Sequence, residues 1–427
     1  MPGRAFVTIT LALVAGFTTL FFYAKPVMSL PSGFEDNRVV NVPDPTALAF
    51  TPDGRMLVTS KRGQLHVFDQ DGKALTSPAL NLGPKVCSNS ERGLLGVAVD
   101  PDFEFADRNY VYLYYTYKKF GVCPEHKPAN PRNPVNRVSR FVMNGNTVNP
   151  DSEIVLIDNI PSPNGNHNAG DVKFGRDEYL YISVGDGGCD YAEPAKCQTE
   201  NDAARDWHVL LGKILRVNRN GGIPPNNPYV EPRGRRCNVE GRTVRGQVCQ
   251  EIFATGLRNP FRMAFDPDSA TNFRINDVGA AAWEEINKGR KGADYGWNCR
   301  EARRVNSRTG KCDPTPRGLV YPVHQYSHNT GCSSITGGAF VPNTGSWPDK
   351  YDKSYLFGDF VCGKIFEPTP VNDGSGYTRS EFTEVPDSAR PIAMTFGPYG
   401  PGPALYYTTF KFGGKDQVRR IAYTGGD

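Results

Sequence analysis

The chain has 427 residues, enough for a large core, and its 49 Lys and Arg against 45 Asp and Glu give a net charge of only +4. The charges are interspersed along the chain, which argues against nucleic acid as a partner, because nucleic-acid binding needs a clustered basic face. The densest basic run, RGRR at residues 233–236, is typical of a solvated loop.

The first thirty residues predict an export signal. Arg4 precedes an uncharged apolar stretch at 5–24, which ends at Lys25 and Pro26. This order is the pattern of a secretory signal peptide, and about 20 apolar residues would also span a bilayer as an uncleaved anchor. We expect residues 1–30 to be a signal peptide or signal anchor. The protein would then be secreted or periplasmic, with membrane contact only through this segment.

The chain contains ten cysteines, several of them close neighbours in sequence. Such pairs oxidise and persist outside the cytosol, so they support export. A zinc site is the alternative, but the chain has no CxxC pair, so the usual ligand spacing is missing. We expect neighbours to pair, although sequence leaves the connectivity open. The expected disulfides are Cys87–Cys123, Cys189–Cys197, Cys237–Cys249, Cys299–Cys312 and Cys332–Cys362.

Turn residues are abundant, with 45 Gly and 35 Pro, and convincing long amphipathic helices are scarce. The best short helix candidate is NDAARDWHVLLGKIL at 201–215. Short alternating runs are more common. Residues 47–69 predict three strands separated by a Pro-Asp-Gly turn and a Gly turn, because Pro fixes φ and Gly tolerates positive φ.

A related strand–turn–strand unit occurs six times. The apolar residues that precede the six turns are Phe50, Val99, Phe174, Phe265, Phe340 and Phe396. Each unit is an antiparallel meander that cannot bury both faces alone, and radial packing of such sheets gives a β-propeller. We therefore predict one all-β domain over residues 31–427, a six-bladed β-propeller of four-stranded antiparallel sheets. Long intervals such as 183–209 and 217–250 would be rim loops, where function is usually carried. A β-sandwich or barrel is the alternative, but neither explains the recurrence.

Eight motifs follow one another along the chain. They are ERGLLGVAVDPDF (91–103), NHNAGDVKFG (166–175), LLGKILRVN (210–218), GLRNPFRMAFDP (256–267), NDVGAAAWEEINKGRKGADYGWNC (276–299), YSHNTGCSSITGG (326–338), YLFGDF (355–360) and QVRRIAYTG (417–425). In this order they resemble the soluble glucose/sorbosone dehydrogenase family, which includes PQQ-dependent aldose dehydrogenases and Hedgehog-interacting-protein-like proteins. The family fold is a six-bladed propeller, in agreement with the six repeats.

The resemblance implies a catalytic pair. His167 matches the general base that takes the proton of the sugar's anomeric hydroxyl while hydride passes to PQQ, and imidazole suits this role near neutral pH. Arg258 would face the quinone oxygens of PQQ, and Asn259 would hydrogen-bond the same edge. Two positions depart from the family: Glu91 stands where the glucose enzymes have a Gln that contacts cofactor and substrate, and Asn166 where an acidic residue is common.

The resemblance also implies two calcium ions. Backbone carbonyls of Gly279 and Ala280 would bind the ion that clamps PQQ. Glu285 and the carbonyl of Tyr295 would bind a second, structural ion. Calcium takes hard oxygen ligands, including backbone carbonyls, so the residue types in this stretch are suitable.

The last third of the chain departs most from the family. PQQ carries three carboxylates, and the family's enzymes meet them with Lys and Arg from the fifth and sixth blades. The matching positions here hold Pro342, Cys362 and Glu367, and only Lys364 remains near as a cofactor-binding cation. Loss of cations weakens the charge-assisted pairing that would hold the cofactor.

Two function hypotheses follow from this comparison. The leading one is a PQQ- and calcium-dependent aldose dehydrogenase that oxidises the anomeric carbon of a sugar to a lactone and passes electrons to an external acceptor. The alternative is a non-catalytic propeller that binds a carbohydrate or a protein and has lost PQQ. The missing late-blade cations favour the alternative, and His167 with the Arg258–Asn259 pair favours the enzyme.

Overall fold

The structure is a computed structural model that describes residues 30–425, apart from residues 77, 104–107, 231, 307–311, 313–315 and 371–376. The predicted signal segment lies, except for its last residue, outside the described residues. Within the described ranges, no helix is both long enough and apolar enough to cross a membrane.

Six four-stranded antiparallel sheets form the blades of a propeller, as the sequence predicts. From the inner to the outer strand, blade 1 has Pro45–Phe50, Met56–Ser60, Gln64–Phe68 and Leu80–Asn81; blade 2 has Leu94–Val99, Tyr110–Tyr117, Val135–Asn144 and Thr147–Pro161; blade 3 has Ala169–Phe174, Leu180–Val184, Lys213–Val217 and Ile252–Ala254. Blade 4 has Pro260–Phe265, Phe273–Asp277, Trp283–Lys288 and His324–Ser327; blade 5 has Ile335–Phe340, Tyr355–Asp359, Lys364–Pro370 and Tyr377–Glu384; blade 6 has Arg390–Tyr399, Gly402–Phe410, Gln417–Tyr423 and Phe34–Asn41.

The innermost strands contact one another around a closed ring. All six residues that marked the repeats lie in these strands, so the repeat count is confirmed. Strands inside the ring are covered on both faces by the neighbouring blades, and Leu180–Val184 is accordingly buried at every position. A strand that is covered on both faces is buried at successive positions instead of at alternate ones.

The remaining elements are short. Two two-stranded ribbons lie outside the blades, formed by Gly234–Arg235 with Val248–Cys249 and by Arg300–Glu301 with Arg304–Val305. The 3-10 helices are Gly83–Lys85, Gln198–Glu200, Ala203–Arg205, His328–Thr330, Asp349–Tyr351 and Pro386–Ser388.

The helix predicted at 201–215 is wrong. Only Ala203–Arg205 forms a single 3-10 turn, and Lys213–Val217 is the buried third strand of blade 3. Gly212 separates the two parts with a φ of 66°, in the left-handed region. Burial of this strand in blade 3 stabilises it more than the weak helical propensity of the segment would stabilise a helix.

The five expected disulfides are present, each between neighbouring cysteines, and they involve all ten. The longest closes 36 residues, from Cys87 to Cys123. Each bridge therefore acts locally and constrains a loop, while the blades themselves are joined by packing and hydrogen bonds.

Blade 6 is built from both ends of the chain. Its outermost strand, Phe34–Asn41, pairs antiparallel with Gln417–Tyr423. Between them the carboxylate of Asp36 accepts a hydrogen bond of 2.9 Å from Nε of Arg419 and one from the hydroxyl of Tyr407. Both members of the ion pair are buried, so the pair fixes the register where the ring closes.

We expect Asp36→Ala to destabilise the protein by about 3 kcal/mol, because it leaves the Arg419 guanidinium buried without its counter-charge. A lower Tm and an earlier urea midpoint would report the loss. Glu35→Ala is the matched control, since Glu35 lies in the same strand and is exposed. Equal stability of the two variants would contradict the role given to the buried pair.

Candidate functional site

A cavity of about 460 Å³ opens where the innermost strands begin, and all six blades contribute to its lining. Charged and amide groups come from blades 1 to 4, and we call this set the polar wall: Asp44, Lys61, Glu91, His167, Arg258, Asn259 and Arg262. Among the described lining residues, those from blades 5 and 6 are all uncharged. We call them the uncharged wall: Ser334, Thr336, Phe360, Ile392 and Phe410.

His167 forms a dyad with a buried carboxylate. Its Nδ1 lies 2.7 Å from Oδ1 of Asp186, whose other oxygen accepts the indole N–H of Trp297 at 2.8 Å. Burial opposes the charge, yet the His167 ring and the Arg258 guanidinium hold the pKa of Asp186 below its ordinary value. A charged Asp186 accepts the Nδ1–H of His167, which leaves Nε2 as the nitrogen that can accept a proton from a ligand.

The backbone around His167 is strained in a way that aims its ring. His167 and Ala169 both have a φ of 50°, which residues with a Cβ rarely adopt. The His167 N–H donates to the Glu91 carboxylate at 2.7 Å. Gly185 passes so close that a Cβ there would lie 2.0 Å from the His167 carbonyl oxygen. Strain of this kind persists where the surroundings over-determine the conformation, as at functional sites.

Arg258 and Asn259 are held by one carboxylate behind them. Asp277 accepts both of their backbone N–H groups, at 3.0 and 2.7 Å. The Arg258 side chain donates to the Val278 carbonyl at 3.0 Å and lies 5.6 Å from the centre of the Trp297 ring. Its Nε is buried and has no hydrogen-bond partner among the described residues. A buried guanidinium N–H without a partner is costly, and a ligand oxygen would satisfy it.

A buried lysine supports the loop behind the dyad. The ammonium of Lys213 donates to three carbonyl oxygens, those of Ala203, Ala204 and Leu211, at 3.1, 2.9 and 2.5 Å. Burial lowers the pKa of Lys213 to about 7. In the same loop, Asn201 donates to the Asp186 carbonyl at 2.9 Å.

Of the two residues expected to bind calcium at the cavity, Gly279 and Ala280, only Gly279 is part of the cavity lining. Gly279 lines the cavity, while the N–H of Ala280 donates to Glu301 at 2.8 Å. Glu301 accepts the three following backbone N–H groups as well, from Ala281, Ala282 and Trp283. Although burial opposes the charge, these four donors hold the pKa of Glu301 below its ordinary value.

Glu285 lies in the buried interior of blade 4, opposite Asp277 on the neighbouring strand. Its carboxylate accepts N–H groups from Asn287 at 3.0 Å and from Ala302. Burial raises the pKa of Glu285 to about 7, and burial together with the Glu285 charge raises that of Asp277. Tyr295 is buried too, and its hydroxyl donates to the Lys288 carbonyl at 2.6 Å. Two buried carboxylates on adjacent strands favour a proton or a cation between them.

Lys364 is not brought to the cavity. Its ammonium pairs with Glu381 at 2.6 Å across blade 5, because the residue begins the third strand of the blade and not an inner one. Pro342 lines a different cavity, and Glu367 hydrogen-bonds Ser354. Cys362 is part of a disulfide. None of these positions supplies a charge to the uncharged wall.

Sequence reasoning missed Asp186, the second member of the dyad. It lies in VGDGGCD (184–190), directly after a buried strand, and its N–H donates to the Arg258 carbonyl at 2.8 Å. A carboxylate between a buried strand and two glycines is a signal for a side chain held at a sheet edge. Lys61 was missed as well. It lies in blade 1, far in sequence from His167 and Arg258, and only closure of the ring brings it to the same cavity.

The protein is a six-bladed propeller with a polar cavity on its axis. In this cavity His167 can accept a proton and Arg258 can stabilise negative charge. The chain belongs to the glucose/sorbosone dehydrogenase family, whose family model matches residues 42–367.

Relatives of two kinds match the chain. The HIPL1 protein of Arabidopsis thaliana is 27% identical over 390 residues, covering 79% of this chain and 52% of the relative. The aldose sugar dehydrogenase YliI of Escherichia coli is 30% identical over 254 residues, covering 59% and 58%. This chain thus spans only about half the length of the curated relatives it matches.

Solved structures resemble the fold. The PQQ-bound form of an aldose sugar dehydrogenase from Streptomyces coelicolor is 22% identical, with a TM-score of 0.65, and the alignment covers 92% of this chain and 99% of that one. At this identity the likeness concerns the fold.

Lys213 makes stability depend on pH. The unfolded chain keeps the lysine proton to a pKa of about 10.4, whereas the folded protein releases it near pH 7. The unfolded state binds more protons between these values, so stability rises with pH in this window. We expect the wild type to gain about 2 kcal/mol more than Lys213→Met between pH 7 and pH 9. Urea unfolding at several pH values measures this gain.

Lys415→Met is the control, because Lys415 is exposed and its loss should leave the slope of stability against pH unchanged. The same slope in wild type and Lys213→Met would show that Lys213 stays charged in the folded protein up to its ordinary pKa.

Proposed function

We propose that the protein is an exported, PQQ- and calcium-dependent aldose dehydrogenase. It would oxidise the anomeric carbon of a sugar and pass the electrons to an external acceptor. The observation that carries the proposal is the polar wall, where the His167–Asp186 dyad and Arg258 lie on neighbouring blades around one cavity. Family membership supports the reaction class, and five disulfides support a location outside the cytosol.

The cavity residues fit a planar, acidic quinone. Lys61, Arg258 and Arg262 give the cavity three cations, equal in number to the carboxylates of PQQ. The Nε–H of Arg258, which has no partner among the described residues, could donate a hydrogen bond to a quinone or carboxylate oxygen. Phe261 adds apolar surface suited to a fused ring. These residues would hold the cofactor, while Asp44 and Glu91 reduce the net positive charge and predict modest affinity.

When bound, PQQ supplies a two-electron acceptor for the hydride of the anomeric carbon. His167 takes the proton of the anomeric hydroxyl at Nε2, which makes the ring a cation. Asp186 stabilises that imidazolium through Nδ1–H and prevents the ring from turning. Arg258 would hold a permanent positive charge beside the oxygens of the acceptor, and Asn259 would hydrogen-bond the same edge of the cofactor. Loss of hydride and proton converts the sugar to a lactone.

A cofactor-free, carbohydrate-binding propeller is the second candidate. The uncharged wall favours it, because blades 5 and 6 offer no cation to a tricarboxylate among the described lining residues. Lys411 follows the lining residue Phe410 in the chain, but its ammonium pairs with Asp387 at 3.7 Å. Binding of PQQ separates the two functions.

We expect PQQ, added with Ca²⁺ to the purified protein, to bind in the micromolar range and to support dye reduction with aldoses. His167→Ala should lower kcat by about 10²- to 10⁴-fold, since it removes the base, and leave PQQ affinity within a few-fold of wild type. Asp186→Asn should also lower kcat, because a neutral amide does not stabilise the imidazolium as a carboxylate does. Calorimetry measures cofactor binding, and steady-state assays measure turnover.

Asn166→Ala is a control beside His167 that removes no ionisable group. Equal kcat for His167→Ala and wild type would refute the base assignment alone. Absence of PQQ binding at high micromolar concentration, together with absence of dye reduction, would refute the enzyme and leave the binding propeller.

Calcium binding at Glu285 has its own test. Two buried carboxylates in blade 4 should be stabilised by a cation, so millimolar Ca²⁺ should raise the wild-type Tm by several degrees at pH 8. Glu285→Gln should abolish most of this gain, whereas Glu193→Gln, in an exposed loop, should keep it. If neither Ca²⁺ nor a chelator changes the wild-type Tm, the proposal of a calcium site at Glu285 is wrong.

A further inference from the structure

Three phenyl rings form a continuous apolar surface at the edge of the cavity. Phe410 lies 5.9 Å from Phe360 and 4.9 Å from Phe412, measured between ring centres. Phe360 and Phe410 line the cavity, and Phe412 is 70% exposed. We call these three residues the aromatic lip. It leads from the uncharged wall inside the cavity to the outer surface.

Blade 5 holds its part of the lip firmly. The N–H of Phe360 donates to the Ser334 carbonyl at 2.8 Å. Asp359 accepts the N–H groups of the two residues that follow Phe360. The Cys332–Cys362 disulfide joins the segments that carry Ser334 and Phe360. The ring of Phe360 is therefore presented by a backbone that needs little ordering when a ligand binds.

Blade 6 supplies the other two rings. Phe410 is the last residue of the strand Gly402–Phe410, and the following N–H, from Lys411, donates to Asp416 at 2.8 Å. The Lys411 ammonium turns to Asp387, away from the cavity lining. Phe412 lies at the turn after the strand, where a polar residue is usual, and its ring extends the apolar surface of Phe360 and Phe410 outward.

The two walls together describe the chemistry of a ligand. The polar wall offers donors and acceptors to hydroxyl groups, and the lip offers apolar faces without charge. A pyranose ring has both surfaces, with hydroxyl groups around its edge and C–H groups on its faces, and C–H faces pack on phenyl rings by dispersion.

The size of the lip argues against a protein partner. A standard protein interface buries about 800 Å² on each side, whereas one aromatic side chain buries at most about 250 Å². Two of the three rings are already half-buried. The lip matches one sugar ring.

We propose that the aromatic lip is a subsite for the second ring of a reducing oligosaccharide, whose reducing-end ring lies on the polar wall at His167. The placement of the reducing end rests on the function proposed above, and the stacking on the lip does not.

Ligand-observed NMR titration of the full protein, with and without PQQ, tests the subsite. The probes are glucose and cellobiose. We expect cellobiose to bind about tenfold more tightly than glucose. Phe412→Ser should weaken cellobiose binding about fivefold and leave glucose binding unchanged, because it removes one face of the lip only. Phe120→Ser, which removes an exposed Phe outside the cavity lining, is the matched control.

The outcomes separate this proposal from the enzyme. Cellobiose binding that depends on Phe412, with neither PQQ binding nor dye reduction by any aldose, supports the lip and refutes the dehydrogenase. Dye reduction with equal affinity for both sugars refutes the lip and keeps the dehydrogenase. The lip is also overturned if Phe412→Ser matches Phe120→Ser, if neither sugar binds, or if Phe412→Ser abolishes a concentration-dependent self-association.

Discussion

Closure of the ring is the constraint on which every other feature depends. The cavity exists only because six inner strands meet around one axis, and the sixth blade is complete only when Phe34–Asn41 pairs with Gln417–Tyr423. The buried Asp36–Arg419 pair sits at this seam. If the ring did not close, His167 and Arg258 would keep their places beside the strands of blades 3 and 4, but they would not face the walls of blades 5 and 6.

The cavity is asymmetric in charge, and this asymmetry shapes its chemistry. Acid–base and anion-stabilising groups come from blades 1 to 4, whereas blades 5 and 6 contribute hydroxyl and apolar groups among the described lining residues. Such a division suits a ligand with one reactive, polar end and one neutral end.

The fold was predictable because its signals are local. Each blade repeats a short strand–turn–strand pattern, and cysteines paired with their neighbours. The site was harder, because its partners come from distant parts of the chain. His167 could be found from its motif, but Asp186 lies in a rim loop, and its hydrogen bond with Trp297 joins residues 111 positions apart. Lys364 was misplaced because a motif does not tell which strand of a blade faces the axis.

The seam has a consequence for how the chain acquires its shape. The strand Phe34–Asn41 precedes its partner Gln417–Tyr423 by nearly the whole described chain, so it is synthesised long before that partner. Until then the early strand stays unpaired and both sheet edges are open to pairing with other chains. A nascent molecule is thus exposed to misassembly until Gln417–Tyr423 has been synthesised and can pair.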